Sequence, residues 1–163
     1  MAIEPSSDKT KVFQRILVVS EPGRNGAAAL AQAAAIIAAS SSSRLTIVAT
    51  APQTTTTCRN CGGVSPDAYN RAIREDVAHD LHNATAQLKL DTRAVKVKLL
   101  IEGTDPPLTD WIAQERFDLV LLPARRSGLR LRSHPAAHQL QNLTEADVHV
   151  VSASGQEQST RPS

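Results

Sequence analysis

The sequence is poor in aromatic side chains and contains no long apolar run. Only 2% of its 163 residues are aromatic, with a single tryptophan, whereas 41% are hydrophobic. The core must therefore be built from alanine, valine, leucine and isoleucine. No stretch approaches the roughly 20 apolar residues of a membrane span, so the sequence predicts no membrane partner.

Cysteine and net charge are also scarce. Two cysteines are too few for a disulfide framework, and the polar segment 1–10 lacks the apolar core of a secretion signal. Together these features predict a cytoplasmic protein. The net charge of +2 is too small to indicate nucleic acid as a partner.

Apolar runs of strand length alternate with helical patterns along the chain. Strands are predicted at RILVVS (15–20), RLTIVAT (44–50), AVKVKLLI (94–101), DLVLL (118–122) and VHVV (148–151). Helices are predicted at 27–39, with Asn25 as a candidate N-cap, at 67–90, after Pro106–Pro107 and from Pro135. This alternation predicts the α/β class, with a parallel sheet covered on both faces.

The length and the polar ends predict a simple domain organisation. We expect a flexible tail at 1–11, one domain at 12–152 and a disordered tail at 153–163. The third strand alternates apolar and basic residues at first, which is typical of a strand near the sheet edge.

A basic loop follows the fourth predicted strand. Arg125, Arg126, Arg130 and Arg132 lie together before the last predicted helix. In parallel sheets ligands bind beyond the carboxyl ends of the strands, guanidinium groups bind phosphate, and helix N-termini favour anions. The loop is therefore a candidate anion site. The alternative is an exposed loop whose arginines contact only solvent.

The order and spacing of these features resemble the universal stress protein family over about residues 15–152. RILVVSEPG resembles the opening strand and acidic turn of the family, and the second helix follows a long loop, as in the family. IEGTDPPLTDWIAQERFDLVLLP resembles its G-D-P turn, short helix and fourth strand. RSGL at 126–129 resembles its glycine-rich loop, followed by a helix and a V-x-V-V strand.

The resemblance implies both a fold and a role. The fold is a Rossmann-like or flavodoxin-like three-layer sandwich, with a five-stranded parallel sheet in the order 3-2-1-4-5. The role is a regulatory or protective binding protein in a stress response, not an enzyme, with an unknown protein partner. The family is commonly dimeric through the last strand, and an exposed strand edge invites pairing. The expected homodimer interface comprises Val148, His149, Val150 and Val151.

One branch of this family binds ATP through the motif G-x2-G-x9-G-[S/T]. The spacing is kept here, but Pro123, Arg126 and Ala136 stand at the glycines and Ala137 stands at the hydroxyl residue. Glycine allows positive φ and close approach to phosphate, whereas proline has no N–H donor. The sequence therefore predicts that the usual ATP loop is not used and that no cofactor is held.

The first alternative is an atypical nucleotide site for ATP or AMP that uses the basic loop. Its candidate residues are Ser20, Glu21, Pro22, Gly23, Thr50, Pro123, Arg125, Arg126, Ser127, Gly128, Ala136 and Ala137.

The second alternative is a thiol or zinc sensor. Cys58 and Cys61 form a C-x-x-C pair, and His79 and His82 follow on the second predicted helix. This spacing does not match an ordinary zinc finger, and two exposed thiols on a loop are the simpler interpretation. No metal site is therefore predicted. Neither G-x-S-x-G nor a P-loop lysine occurs, and the carboxylates are scattered, so we predict no catalytic residues.

Overall fold

A computed structural model describes residues 12–55, 63–91, 93–127, 130–132, 134–153 and 158–159, with only the backbone at 126–127, 130–132 and 158–159. The strands are β1 (Arg15–Val19), β2 (Arg44–Ala51), β3 (Val95–Ile101), β4 (Leu119–Pro123), β5 (Arg125–Ser127), β6 (Arg130–Arg132), β7 (Asp147–Val151) and β8 (Gln158–Ser159). The helices are α1 (Arg24–Ala39), α2 (Pro66–Gln87), α3 (Leu108–Glu115) and α4 (Pro135–Leu143).

Five parallel strands form the central sheet in the order β3-β2-β1-β4-β7. Because β7 is the fifth parallel strand along the chain, this is the predicted order 3-2-1-4-5, and the Rossmann-like α/β class is confirmed. β3 lies at one edge, as its alternating pattern predicted. At the other edge β8, which lies within the predicted C-terminal tail, pairs antiparallel with β7.

Aliphatic side chains pack on both faces of the sheet. Successive residues of β1 point to opposite faces, so Ile16 and Val18 pack with α1 and α2, whereas Leu17 and Val19 pack with α3 and α4. All four side chains are buried. Burial of each such side chain contributes about 1.5–3 kcal/mol, which fixes both helical layers against the sheet.

The sheet order creates a crevice between β1 and β4. β1 continues through α1 to β2 on one side, whereas β4 continues through the β5–β6 hairpin and α4 to β7 on the other. The two connections diverge from neighbouring carboxyl ends, which is the position where open α/β sheets bind ligands. The basic loop predicted here contains an antiparallel hairpin.

The start of α1 differs from the prediction. The N-cap is Gly23, with φ of 106°, a conformation that glycine adopts readily. The prediction that Asn25 caps the helix was wrong, because Asn25 is the second residue of the helix and its side chain bonds elsewhere. Within the described part of the chain, no helix is long and apolar enough to cross a membrane.

Candidate functional site

A cluster of polar side chains lies at the carboxyl ends of β1 and β4. Glu21 follows β1 and is the centre of the cluster. Its Oε1 accepts a hydrogen bond from Nε2 of His134 at 2.7 Å and one from the guanidinium of Arg125 at 3.0 Å. The Glu21 side chain is 24% exposed and that of His134 only 5%. The cluster therefore joins the β1–α1 loop to the start of α4.

The second ring nitrogen of His134 determines its tautomer. Nδ1 accepts the backbone N–H of Ala136 at 3.1 Å, so it carries no proton, and Nε2 carries the proton that is donated to Glu21. This makes His134 a neutral N-cap of α4 and the donor in a bond to a carboxylate. Bonds to a charged group are stronger than neutral ones.

The environment of Glu21 acts on its pKa in two opposing ways. Burial is the largest single influence and raises the pKa of the carboxyl, but the hydrogen bonds from His134 and Arg125, together with the electrostatic attraction of the same two groups, outweigh it and hold the pKa below the ordinary 4.5. The fold therefore stabilises the carboxylate form. This stabilisation is fully present above the unfolded pKa and is lost as the pH falls through the lower folded pKa.

A pH series of the free energy of unfolding tests this sign. At pH 7 we expect the wild type to exceed Glu21→Gln by about 1 kcal/mol, since a charged acceptor is replaced by a neutral one. The difference should shrink below pH 4.5. In the His134→Asn background, the loss of stability caused by Glu21→Gln should be smaller at every pH. A loss caused by Glu21→Gln that grows on acidification would contradict the lowered pKa.

The N-terminus of α4 offers no free N–H group in its first three positions. Pro135 has no N–H, Ala136 donates to Nδ1 of His134, and Ala137 donates to the His134 carbonyl at 3.0 Å. A helix N-terminus binds phosphate through such N–H groups. Here they are already satisfied within the protein.

The backbone after β4 is satisfied in the same way. Pro123 has no N–H, and the N–H of Ala124 donates to the carbonyl of Val151 at 2.8 Å. The carbonyl of Ala124 accepts from Nδ2 of Asn25 at 2.7 Å, while Oδ1 of Asn25 accepts the N–H of Ala153 at 2.9 Å. Asn25 thus ties α1 to the residues that follow β4 and β7.

A close backbone approach holds the β1–α1 loop over α1. A Cβ built on Gly26 would lie 1.8 Å from the carbonyl oxygen of Glu21. No side chain can occupy that space, so only glycine lets the loop pack against the helix and place the Glu21 carboxylate at His134.

The remaining predicted site residues lie around this cluster. The N–H of Ser20 donates to the carbonyl of Val48 at 2.7 Å, and Thr50 lies on β2 in register with Leu100. Pro22 and Gly23 are exposed in the loop between β1 and α1. Arg126 and Ser127 belong to β5, and their side chains lie outside the described residues, as does Gly128.

Sequence reasoning missed three residues of the site, namely Asn25 as a cross-link, Gly26 and His134. A local signal existed only for His134, because a helix that starts at Pro135 makes residue 134 the N-cap. The partners of Asn25 and His134 are about 100 residues distant along the chain, and no local pattern reveals them.

The sensor hypothesis cannot be placed on the structure, because Cys58 and Cys61 lie outside the described residues. His79 and His82 are on α2, and both are exposed. Across the described residues, no group of three or more metal-ligating side chains could hold a metal ion.

Comparisons with solved structures identify the fold. A protein of the universal stress protein family from Burkholderia pseudomallei is 19% identical, with 90% of this chain and 98% of that chain covered at a TM-score of 0.61. The universal stress protein UspA from Lactobacillus plantarum is 16% identical, with 87% and 99% covered and a TM-score of 0.64. No protein-family model and no curated protein sequence matches the chain.

A third similar structure was solved with a nucleotide. It is a universal stress protein family protein from Arabidopsis thaliana with AMP bound, 13% identical, with 85% of this chain and 91% of that chain covered at a TM-score of 0.52. The chain has the fold of the universal stress proteins, and the resemblance predicted from the sequence is confirmed at the level of the fold.

Proposed function

We propose that this chain is a universal-stress-protein-type binding protein that acts without the ATP loop of the family. Its role is regulatory or protective, in a cytoplasmic stress response, and it works by binding a protein partner. The fold supports the type of protein, and the hydrogen bonds already made by the donors at the crevice support the loss of the ATP loop.

The main support for this proposal is that the Glu21 carboxylate already accepts hydrogen bonds from His134 and Arg125. A phosphate at the crevice would meet the negative charge of Glu21, which His134 and Arg125 hold in place. It would find the first N–H groups of α4 already bonded. Binding would therefore require breaking protein hydrogen bonds, each of which stabilises the fold by about 1 kcal/mol or more.

The geometry of His134 supports binding rather than catalysis at this site. A general base needs a ring nitrogen that is free to take a proton from a substrate. Both nitrogens of His134 are engaged, one by Glu21 and one by Ala136. The pair therefore serves to hold two loops together, and we propose no enzymatic activity.

An atypical nucleotide site is the second candidate, and Arg125 favours it. The Arg125 side chain is 53% exposed although it bonds to Glu21, and such exposed pairs are weak. Its guanidinium could turn from the carboxylate to a phosphate. The AMP in the similar Arabidopsis thaliana protein makes this candidate worth testing.

A homodimer through β7 stays part of the proposal. Val148, Val150 and Val151 are buried within the domain, so they are not available to a second copy. The backbone edge would have to form the interface. β8 pairs with this edge at His149 and Val150, so dimer formation would require β8 to move or to be shared.

Calorimetric titration with ATP, ADP and AMP tests the proposal. We expect no saturable binding of any of them to the crevice below about 1 mM, because its donors are already bonded. Thermal unfolding in the presence of each nucleotide should show no change in Tm that depends on Arg125.

The matched variant is Arg125→Gln. Saturable micromolar binding that this variant abolishes would overturn the proposal in favour of the atypical nucleotide site. Binding heat that is unchanged in Arg125→Gln would arise elsewhere on the molecule and would not contradict the proposal for the crevice.

A further inference from the structure

A second concave site lies at the opposite end of the strands, where β1, β2 and β3 begin. It is a cleft of about 250 Å³. Four cationic and two aromatic side chains line most of it: Arg15, Arg44, Arg93, Lys96, Trp111 and Phe117. The Glu21 cluster is at the carboxyl ends of the strands, so the two sites are separate.

The cleft lies beside α3, which is a short helix. α3 has eight residues, about 12 Å of helix, whereas α2 on the other face has 22. Trp111 of α3 and Phe117 pack together over this part of the sheet, with ring centroids 5.8 Å apart. Arg44 and Lys96, at the starts of β2 and β3, stay exposed beside them.

The positive charge in the cleft is poorly compensated. Glu115 is the one carboxylate in the lining, and it lies 3.9 Å from Arg15. The Arg15 guanidinium also lies 5.5 Å from the centroid of Phe117. Among the described side chains, no carboxylate is within salt-bridge distance of Arg44, Arg93 or Lys96.

The carboxylates of Asp118 and Asp91, near the starts of β4 and β3, accept backbone N–H groups. Oδ2 of Asp118 accepts the N–H groups of Gln14 and Arg15, each at 2.9 Å. Oδ1 of Asp91 accepts the N–H of Arg93 at 3.0 Å. Neither carboxylate lines the cleft.

The register of the sheet brings two of the cations side by side. Arg15 and Arg44 are direct partners on β1 and β2, on strands about 4.8 Å apart. Like charges placed directly across a strand pair repel. An anion between them would turn this repulsion into two attractions, and a multivalent anion would also reach Lys96.

We propose that this cleft binds a small anion that carries phosphate groups. Guanidinium groups match phosphate oxygens in bidentate geometry, and lysine adds a point charge. Thr46, half-buried in the lining, offers a hydroxyl donor. The volume lies below the roughly 300–1,000 Å³ of sites for drug-sized ligands, so the ligand is compact. This inference goes beyond the proposed function and does not depend on it.

The single tryptophan makes the site testable by fluorescence. Trp111 is the only tryptophan of the chain and it lines the cleft. We expect inorganic pyrophosphate to change its emission saturably, with one molecule bound per chain by calorimetry and weaker binding at higher salt. Arg44→Gln should weaken binding at least about tenfold, the loss of one charged hydrogen bond.

A second titration, with ribose 5-phosphate, distinguishes an inorganic from an organic phosphate ligand. Tighter binding of pyrophosphate indicates an inorganic oligophosphate, and tighter binding of the sugar phosphate indicates an organic phosphoester. Each outcome supports the site if Arg44→Gln weakens the binding at least about tenfold.

Arg71→Gln is the matched control, because Arg71 is exposed on α2 and the change in net charge is the same. It should leave pyrophosphate binding within about twofold, and so should Arg125→Gln at the crevice. Absence of saturable binding, or equal weakening by Arg44→Gln and Arg71→Gln, would overturn the proposal. Loss in Arg125→Gln alone would assign the anion to the crevice instead.

Discussion

Gly26→Ala is expected to reduce the free energy of unfolding by about 3 kcal/mol, at the upper end of the usual cost of overpacking. The added Cβ would lie 1.8 Å from the carbonyl oxygen of Glu21. That oxygen belongs to the backbone, so no rotamer change can relieve the contact. The β1–α1 loop must move away from α1, and Glu21 then leaves His134 and Arg125.

Urea unfolding measures this loss, and thermal unfolding should show a decrease in Tm of roughly 10 °C for a domain of this size. Alanine in place of glycine usually stabilises a helix by about 0.4–1 kcal/mol, so the sign of the effect is itself diagnostic. Ala27→Ser, one exposed position further along α1, adds an atom without a contact and should stay within about 0.5 kcal/mol. Unchanged or raised stability in Gly26→Ala would show that the loop does not approach the helix.

His134→Ala is expected to cost about 3 kcal/mol, from two separate losses. Removal of the N-cap acceptor of Ala136 costs about 1 kcal/mol. Removal of the donor to the half-buried Glu21 carboxylate costs about 1.5–3 kcal/mol. Arg125 still bonds to Glu21 in this variant, but its exposed side chain compensates only weakly.

The conservative variant His134→Asn separates the two losses. Asparagine is a favourable N-cap, so this variant should recover about 1 kcal/mol relative to His134→Ala. In the Glu21→Gln background the cost of His134→Ala should fall, because a neutral acceptor replaces the carboxylate. Equal stability of His134→Ala and the wild type would show that the contacts of His134 at the crevice do not stabilise the fold.

The local pattern of apolar residues was sufficient to predict the strands of the sheet. The apolar runs at β1 and β4 predicted buried strands because each residue of such a run has a core contact on one face or the other. Alternation with helices predicted the parallel sheet, and the resemblance to the universal stress proteins supplied the strand order. The crevice between β1 and β4 follows from that order, so the location of the site was predictable before its chemistry.

Local pattern failed where the partner of a residue lies far along the chain. Asparagine is a residue type that is favoured at N-caps, and the sequence predicted that role for Asn25. In the structure its amide reaches Ala124 and Ala153 instead. The basic loop predicted an anion site, yet its first arginine is paired with Glu21, 104 residues earlier.

The sequence by itself determined the α/β class and the positions of the parallel strands. These follow from residue type and spacing alone. Only the tertiary structure decided that Arg125 and His134 donate hydrogen bonds to Glu21 and that Gly26 must lack a side chain. It also decided that cations from three strands lie together at the amino ends of those strands. Each of these depends on distances between segments remote in sequence, which packing of the two helical layers on the sheet sets.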